Sequence, residues 1–156
     1  LEMFPYARFI FIHRNPYAVN ESLYRFMLTI FPGVQLQDVP DTFSRKTVVE
    51  LYSLMMRTWF RTKGQIPAAN LMELNYHDFL DDIPGTVSRI YSHLRLGDYA
   101  RVSERIEQFL RENPYPGHNT RSPNAETIQL INTHAADILQ QLGYAVSALP
   151  DAADLP

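Results

Sequence analysis

Four consecutive apolar residues, Phe9 to Ile12, stand between Arg8 and His13. An unbroken apolar run of strand length needs cover on both faces. It predicts a strand over residues 8–13, central in a parallel sheet with helices on each side. Asn15-Pro16 follows at once, a good helix cap and a residue favoured in the first helical turn. Val19, Leu23, Phe26, Met27 and Ile30 then recur at helical spacing, and Pro32-Gly33 is expected to end that helix. Residues 34–45 read as a loop, with Pro40 and Asp41 as turn formers. A second helix is predicted over residues 46–62. Val48, Tyr52, Met55 and Trp59 face inward with Leu51 and Leu54 beside them, and Glu50, Ser53 and Arg57 lie opposite. Leu71, Met72 and Leu74 predict a short strand over residues 70–75. Two strands separated by helical sequence point to a parallel α/β arrangement.

The remainder reads as helices. Residues 84–95 carry Val87, Ile90, Tyr91 and Leu94 inward and stop at Gly97. Residues 100–111 repeat the theme with Val102, Ile106, Phe109 and Leu110. Residues 113–121 are too rich in Pro, Gly and Asn for regular structure. Ser122 and Pro123 are expected to open a long helix with Ile128, Ile131, Ala135, Ile138 and Leu142 as its inward stripe, ending at Gly143. No repeat and no dividing linker interrupts residues 1–146, and residues 147–156 are expected to form a flexible tail.

Composition narrows the function classes. The 156 residues are 46% hydrophobic and 20% charged, which excludes a disordered or low-complexity chain. The net charge is -3, without the basic excess of a general nucleic-acid binder. Cysteine is absent, so disulfides, cysteine-ligated zinc and thiol catalysis are excluded. That absence fits a reducing compartment, and the expected location is cytoplasmic. No apolar run approaches the ~20 residues of a membrane helix, and no signal-peptide pattern opens the sequence. Twelve of the 14 basic residues are arginine, which suits bidentate recognition of phosphate or carboxylate and equally follows from base composition. His13, His77, His93, His118 and His134 have no metal-ligand spacing, so no metal is expected.

The turn after the first strand carries the chemistry. A buried parallel strand delivers Arg14 to its C-terminal edge, where ligands bind in open α/β sheets. A helix begins immediately after it, bringing free N–H groups and a positive dipole end. Ser22 adds a hydroxyl about 9 Å along that helix. These features describe an anion site, best suited to a phosphate. The same residues also fit a surface ion pair and an ordinary helix start.

Residues 4–22, with Arg14, Asn15, Pro16 and Ser22 at an Arg-Asn-Pro-x5-Ser spacing, resemble the second nucleotide-binding motif of the sulfotransferases. Those enzymes use 3′-phosphoadenosine 5′-phosphosulfate (PAPS). The resemblance implies that Arg14 and Ser22 bind the cofactor's 3′-phosphate. Residues 74–84, around Tyr76, His77 and Asp78, resemble the family's strand-end Tyr-Glu-Asp-Leu segment, with His77 in place of the usual Glu. That match implies an adenine contact for Tyr76. The likeness extends over residues 4–145 and is nearest to the broad bacterial and tyrosylprotein-like branch. His118 and Arg121 fall where the family often adds a late contact to the 3′-phosphate.

The family's first motif, a glycine-containing loop for the 5′-phosphosulfate, has no counterpart here, nor does the region that usually holds the catalytic base. The expected architecture is therefore a P-loop-like parallel sheet flanked by helices, helix-rich and incomplete. It would be the C-terminal half of a sulfotransferase domain, with catalytic residues upstream of Leu1 and little activity on its own. The expected partners are the nucleotide and a small-molecule, carbohydrate or protein acceptor. Two rivals stand beside this reading: a truncated or degenerate non-catalytic nucleotide-binding or interaction domain, and a kinase-like P-loop protein. His13 beside Arg14 fits a general base or a hydrogen bond in the core. Asp81-Asp82 reads as solvated loop or helix N-terminal charge.

Overall fold

A computed structural model describes residues 3–34, 36, 44–114 and 122–148. The chain forms two compact units, each built from two stretches: Leu1–Arg14 with Thr62–Asn119, and Asn15–Arg61 with Thr120–Pro156.

The first unit holds the sheet. Strands β1 (Phe9–His13) and β2 (Leu71–Asn75) pair in parallel, and among the described residues they form a two-stranded sheet. Two 3₁₀ turns, Lys63–Gln65 and Ala68–Asn70, lead into β2. Helices α3 (Tyr76–Asp81), α4 (Ile83–His93) and α5 (Ala100–Glu112) follow. Leu74 of β2 packs with Ile90 and Leu94 in a small core, with Met72 against it. His93 ties α4 to the start of β2, its Nε2–H facing the carbonyls of Leu71 at 2.9 Å and Ala68 at 3.1 Å. Asp82 caps α4 by accepting from Gly85 N at 2.9 Å, which gives one of the two adjacent aspartates its place.

β1 departs from the expected doubly covered strand. Its burial alternates, and Ile10 and Ile12 remain 45% and 48% exposed. The apolar run sets the strand, but within this unit α4 packs over β2 and leaves one face of β1 open. Helix α5 also departs from expectation. Val102, Ile106, Phe109 and Leu110 share one face, yet no residue of α5 is fully buried and Phe109 is 62% exposed. They line an open groove of about 450 Å³ with Phe79, Ile83, Tyr91 and Arg105.

The second unit contains α1 (Pro16–Val34), α2 (Arg45–Thr62), α6 (Ala125–His134) and α7 (Ala136–Leu142). α1 buries Pro16, Tyr17, Asn20 and Glu21, while Phe26 and Ile30 of the expected stripe are exposed. It also runs through Pro32 to Val34 instead of stopping there. A proline this near a helix end forfeits one hydrogen bond without breaking several turns.

In α2 the buried face is Val48, Val49, Ser53 and Met56. It is turned from the expected one, so Ser53 is inside and Leu51, Leu54 and Met55 are exposed. The expected long final helix is two helices, with Asn124 rather than Ser122 as its cap and a break at Ala135. Arg57 straps the break. It donates to the His134 carbonyl at 2.7 Å and to both Asp137 carboxylate oxygens at 2.8 and 2.9 Å. The apolar stripe survives it, with Ile128, Ile131, Ala135 and Ile138 all buried. Gly143 closes α7 at φ 77°, a left-handed backbone that glycine adopts without strain. Just beyond, Ser147 N donates to the Tyr17 hydroxyl at 3.0 Å, and Asn132 donates to the Ser147 carbonyl at 3.0 Å.

Candidate functional site

In the first unit, register builds the site. Phe9 faces Leu71 and the pairing continues to His13 and Asn75. Matched residues of a parallel pair share a face, and faces alternate along each strand. Ile10 and Ile12 therefore lie with Met72 and Leu74, and one further step sets Arg14 beside Tyr76. The Arg14 guanidinium carbon lies 5.1 Å from the centre of the Tyr76 ring, within cation–π range. Tyr76 opens α3, and Asn75 caps that helix by accepting from His77 N at 2.8 Å. His77 meets the Tyr76 ring edge-on, with centres 5.8 Å apart. Two residues that the sequence singled out separately thus meet where the parallel strands end, the edge at which an open α/β sheet takes its ligands.

His13 belongs to the opposite face, stacked on Phe11 at 6.1 Å. Burial holds its pKa below the ordinary 6.5. The negative charges of Glu73 and Asp78 oppose that shift, and Lys63 adds to it. Lys63 bonds both Glu73 oxygens, at 2.8 and 2.9 Å. The imidazole of His13 is thus mostly neutral at pH 7.

In the second unit, Asn15 caps α1 as expected. Its Oδ1 accepts from Tyr17 N at 3.0 Å and its carbonyl accepts from Val19 N at 3.1 Å. Ser22 stands exposed on the second turn of that helix. Next to it is a feature that the sequence reading missed, the carboxylate of Glu21, whose side chain is 5% exposed. Arg25 Nε at 2.9 Å and Thr127 Oγ1 at 2.8 Å donate to it, as does Arg45; the Asn124 amide lies at 3.4 Å. Burial raises the pKa of this carboxyl, but donation from Arg45, Arg25, Thr127 and Asn124 outweighs burial and holds it at about 2. The i,i+4 pairing of Glu21 with Arg25 was the one local signal of this cluster in the sequence. Arg45 and Thr127 lie on other helices and gave none.

His118 and Arg121 lie outside the described residues. Among the described residues, no group of three His, Asp or Glu is placed to hold a metal ion, and no helix is long and apolar enough to cross a membrane.

Residues 1–100 match the model of the sulfotransferase family, and that stretch contains Arg14, Ser22 and Tyr76. The chain belongs to the sulfotransferase family. It is also similar to omega-hydroxy-beta-dihydromenaquinone-9 sulfotransferases of Mycobacterium bovis and Mycobacterium tuberculosis, at 28% identity over 144 residues in each case. Those alignments take in 92% of this chain and 37% of each relative, so the chain spans little more than a third of the length of the curated relatives it matches. No solved structure matches it.

Proposed function

We propose that this chain carries the 3′-phosphate and adenine half of a PAPS site, in a protein that transfers a sulfuryl group to a hydroxyl or amine acceptor. Arg14 and Ser22 contact the 3′-phosphate, and Tyr76 contacts the adenine. The observation that carries the reading is the Arg14–Tyr76 pair at the C-terminal ends of two parallel strands. When bound, PAPS supplies an electrophilic sulfur and leaves as 3′,5′-adenosine bisphosphate. The contribution of these residues is to bind and orient the nucleotide, so that the acceptor oxygen meets the sulfur in line with the leaving oxygen. The sulfuryl clamp and the base that takes the acceptor's proton belong to the remainder of the protein, of which residues 1–146 form the C-terminal part of one domain. The relatives act on an omega-hydroxylated menaquinone, so a hydroxyl on a lipid quinone is the first acceptor to assay.

Calorimetry on the whole natural protein tests this reading. 3′,5′-Adenosine bisphosphate is expected to bind far more tightly than ATP, and Arg14→Ala is expected to cost about 2–5 kcal/mol of that binding. A preference for ATP would favour the kinase-like alternative. Unchanged binding in Arg14→Ala would remove Arg14 from the site.

The exposed Ile10 and Ile12 favour a second reading, in which this face of β1 meets further protein surface. It complements the first reading if that surface is the rest of the same domain. It replaces the first reading if the whole protein binds no nucleotide.

A further inference from the structure

We propose that Glu21 is a positioning residue for the nucleotide's 3′-phosphate, acting through its neighbour Ser22; the inference rests on the role given to Ser22 above. At about 100° per residue, Pro16, Tyr17, Asn20 and Glu21 occupy one arc of α1 roughly 140° wide. All four are buried. Ser22 is one step beyond that arc and exposed. The rotation of α1 about its axis therefore decides where the Ser22 hydroxyl points. One turn earlier on the arc the Tyr17 hydroxyl donates to Asn132 of α6 and accepts from Ser147 N, while the apolar contacts tolerate small rotations because dispersion is non-directional. A carboxylate held from several directions does not tolerate them.

Glu21 is held by Arg25 on its own helix, Arg45 of α2, Thr127 of α6 and the Asn124 amide just before α6. Arg45 is itself fixed, lying 4.2 Å over the Tyr24 ring, donating to Thr127 Oγ1 at 2.7 Å and standing 3.5 Å from Glu126. The sulfuryl transfer gives Glu21 no chemical task. A buried ion pair stabilises a fold poorly compared with apolar residues of the same volume, and its best-attested benefit is a fixed register. The register fixed here is that of the helix carrying Ser22.

The test is a set of titrations on the whole natural protein with two probes, 3′,5′-adenosine bisphosphate and adenosine 5′-phosphate, which lacks the 3′-phosphate. Glu21→Gln keeps the side-chain volume and removes the charge. It is expected to weaken the bisphosphate roughly tenfold, the size of one charge-assisted hydrogen bond, and adenosine 5′-phosphate less than about twofold. In a Ser22→Ala background, Glu21→Gln is expected to add less than about twofold, because both changes remove one interaction. Thr127→Val takes a single donor from the same carboxylate and is expected to act in the same direction by roughly threefold. It carries the test if Glu21→Gln does not fold. Equal weakening of both probes, or effects of Glu21→Gln and Ser22→Ala that multiply, would overturn the proposal. Ser22→Ala that leaves bisphosphate binding unchanged is a different result, which removes Ser22 from the site and Glu21 with it.

Discussion

Two side chains show what burial and hydrogen bonding do to charge in this chain. Glu21 is ionised in the folded protein down to about pH 2, below its ordinary 4.5, because four donors outweigh its burial. A depressed carboxyl contributes stability that is complete above the unfolded pKa and is lost as pH falls through the folded one. Urea midpoints should therefore drop between about pH 5 and about pH 2.5, and drop less in Glu21→Gln. An acid limb unaltered by the substitution would contradict the assignment. His13 shifts by the opposite balance, with desolvation leading and two nearby carboxylates only partly offsetting it. Its ring resonance should titrate below pH 6.5, and protonation should cost stability as pH falls through that lowered value. Arg14, Ser22 and Tyr76 could be picked out from the sequence because their spacing is local to two motifs. The meeting of Arg14 with Tyr76 follows from strand register, a long-range property. Glu21 was missed because its importance depends on partners from two other helices.

At the scale of elements, the ends of helices were easier to read than their faces. Asn15 caps α1 and Gly143 closes α7 as their residue types require, since capping depends on a few neighbouring atoms. Asp82 is the clearest local cap to test. Its carboxylate takes the Gly85 amide at 2.9 Å, and a Cβ built on Gly85 would fall 2.0 Å from that carboxylate. Asp82→Ala should destabilise the protein by about 1 kcal/mol, read as a lower urea midpoint at constant slope, and Asp82→Asn should recover most of that loss. Inward faces are another matter. In α2, Ser53 is buried where Met55 was expected, and in α1 the polar Asn20 and Glu21 are inside while Phe26 is outside. Hydropathy ranks a side chain by its cost of burial alone and does not see the partners that offset it for Asn20 and Glu21, the Pro16 carbonyl for one and four donors for the other. Ser53 Oγ is buried without such a partner among the described residues. The Ala135 break is likewise flanked by contacts from a distant segment. Arg57 takes the His134 carbonyl and the Asp137 carboxylate, two groups that flank the break between α6 and α7.

For the whole molecule, the informative surface is the open face of β1. Ile10 and Ile12 are about half exposed, and among the described residues β1 pairs only with β2. An unpaired edge and an uncovered apolar face together invite association. If the remainder of the protein covers this face, Ile12→Lys should make the isolated 156-residue chain more monodisperse in sedimentation while destabilising the whole protein. Improved behaviour in both would mean that nothing covers the face. By itself the sequence determined the two strands, the helical segments between and after them, most helix ends, and the resemblance to the sulfotransferase family. Those features are set within a few residues of chain, by periodicity, capping and turn chemistry. Only the tertiary structure decided that Arg14 stacks on Tyr76, that a buried carboxylate is held by three helices and the residue before one of them, and that one face of the first strand stays open. The physical reason is the same in each case. Burial and pairing energies depend on which distant segment supplies the neighbour, and a local pattern of apolar and polar positions does not contain that choice.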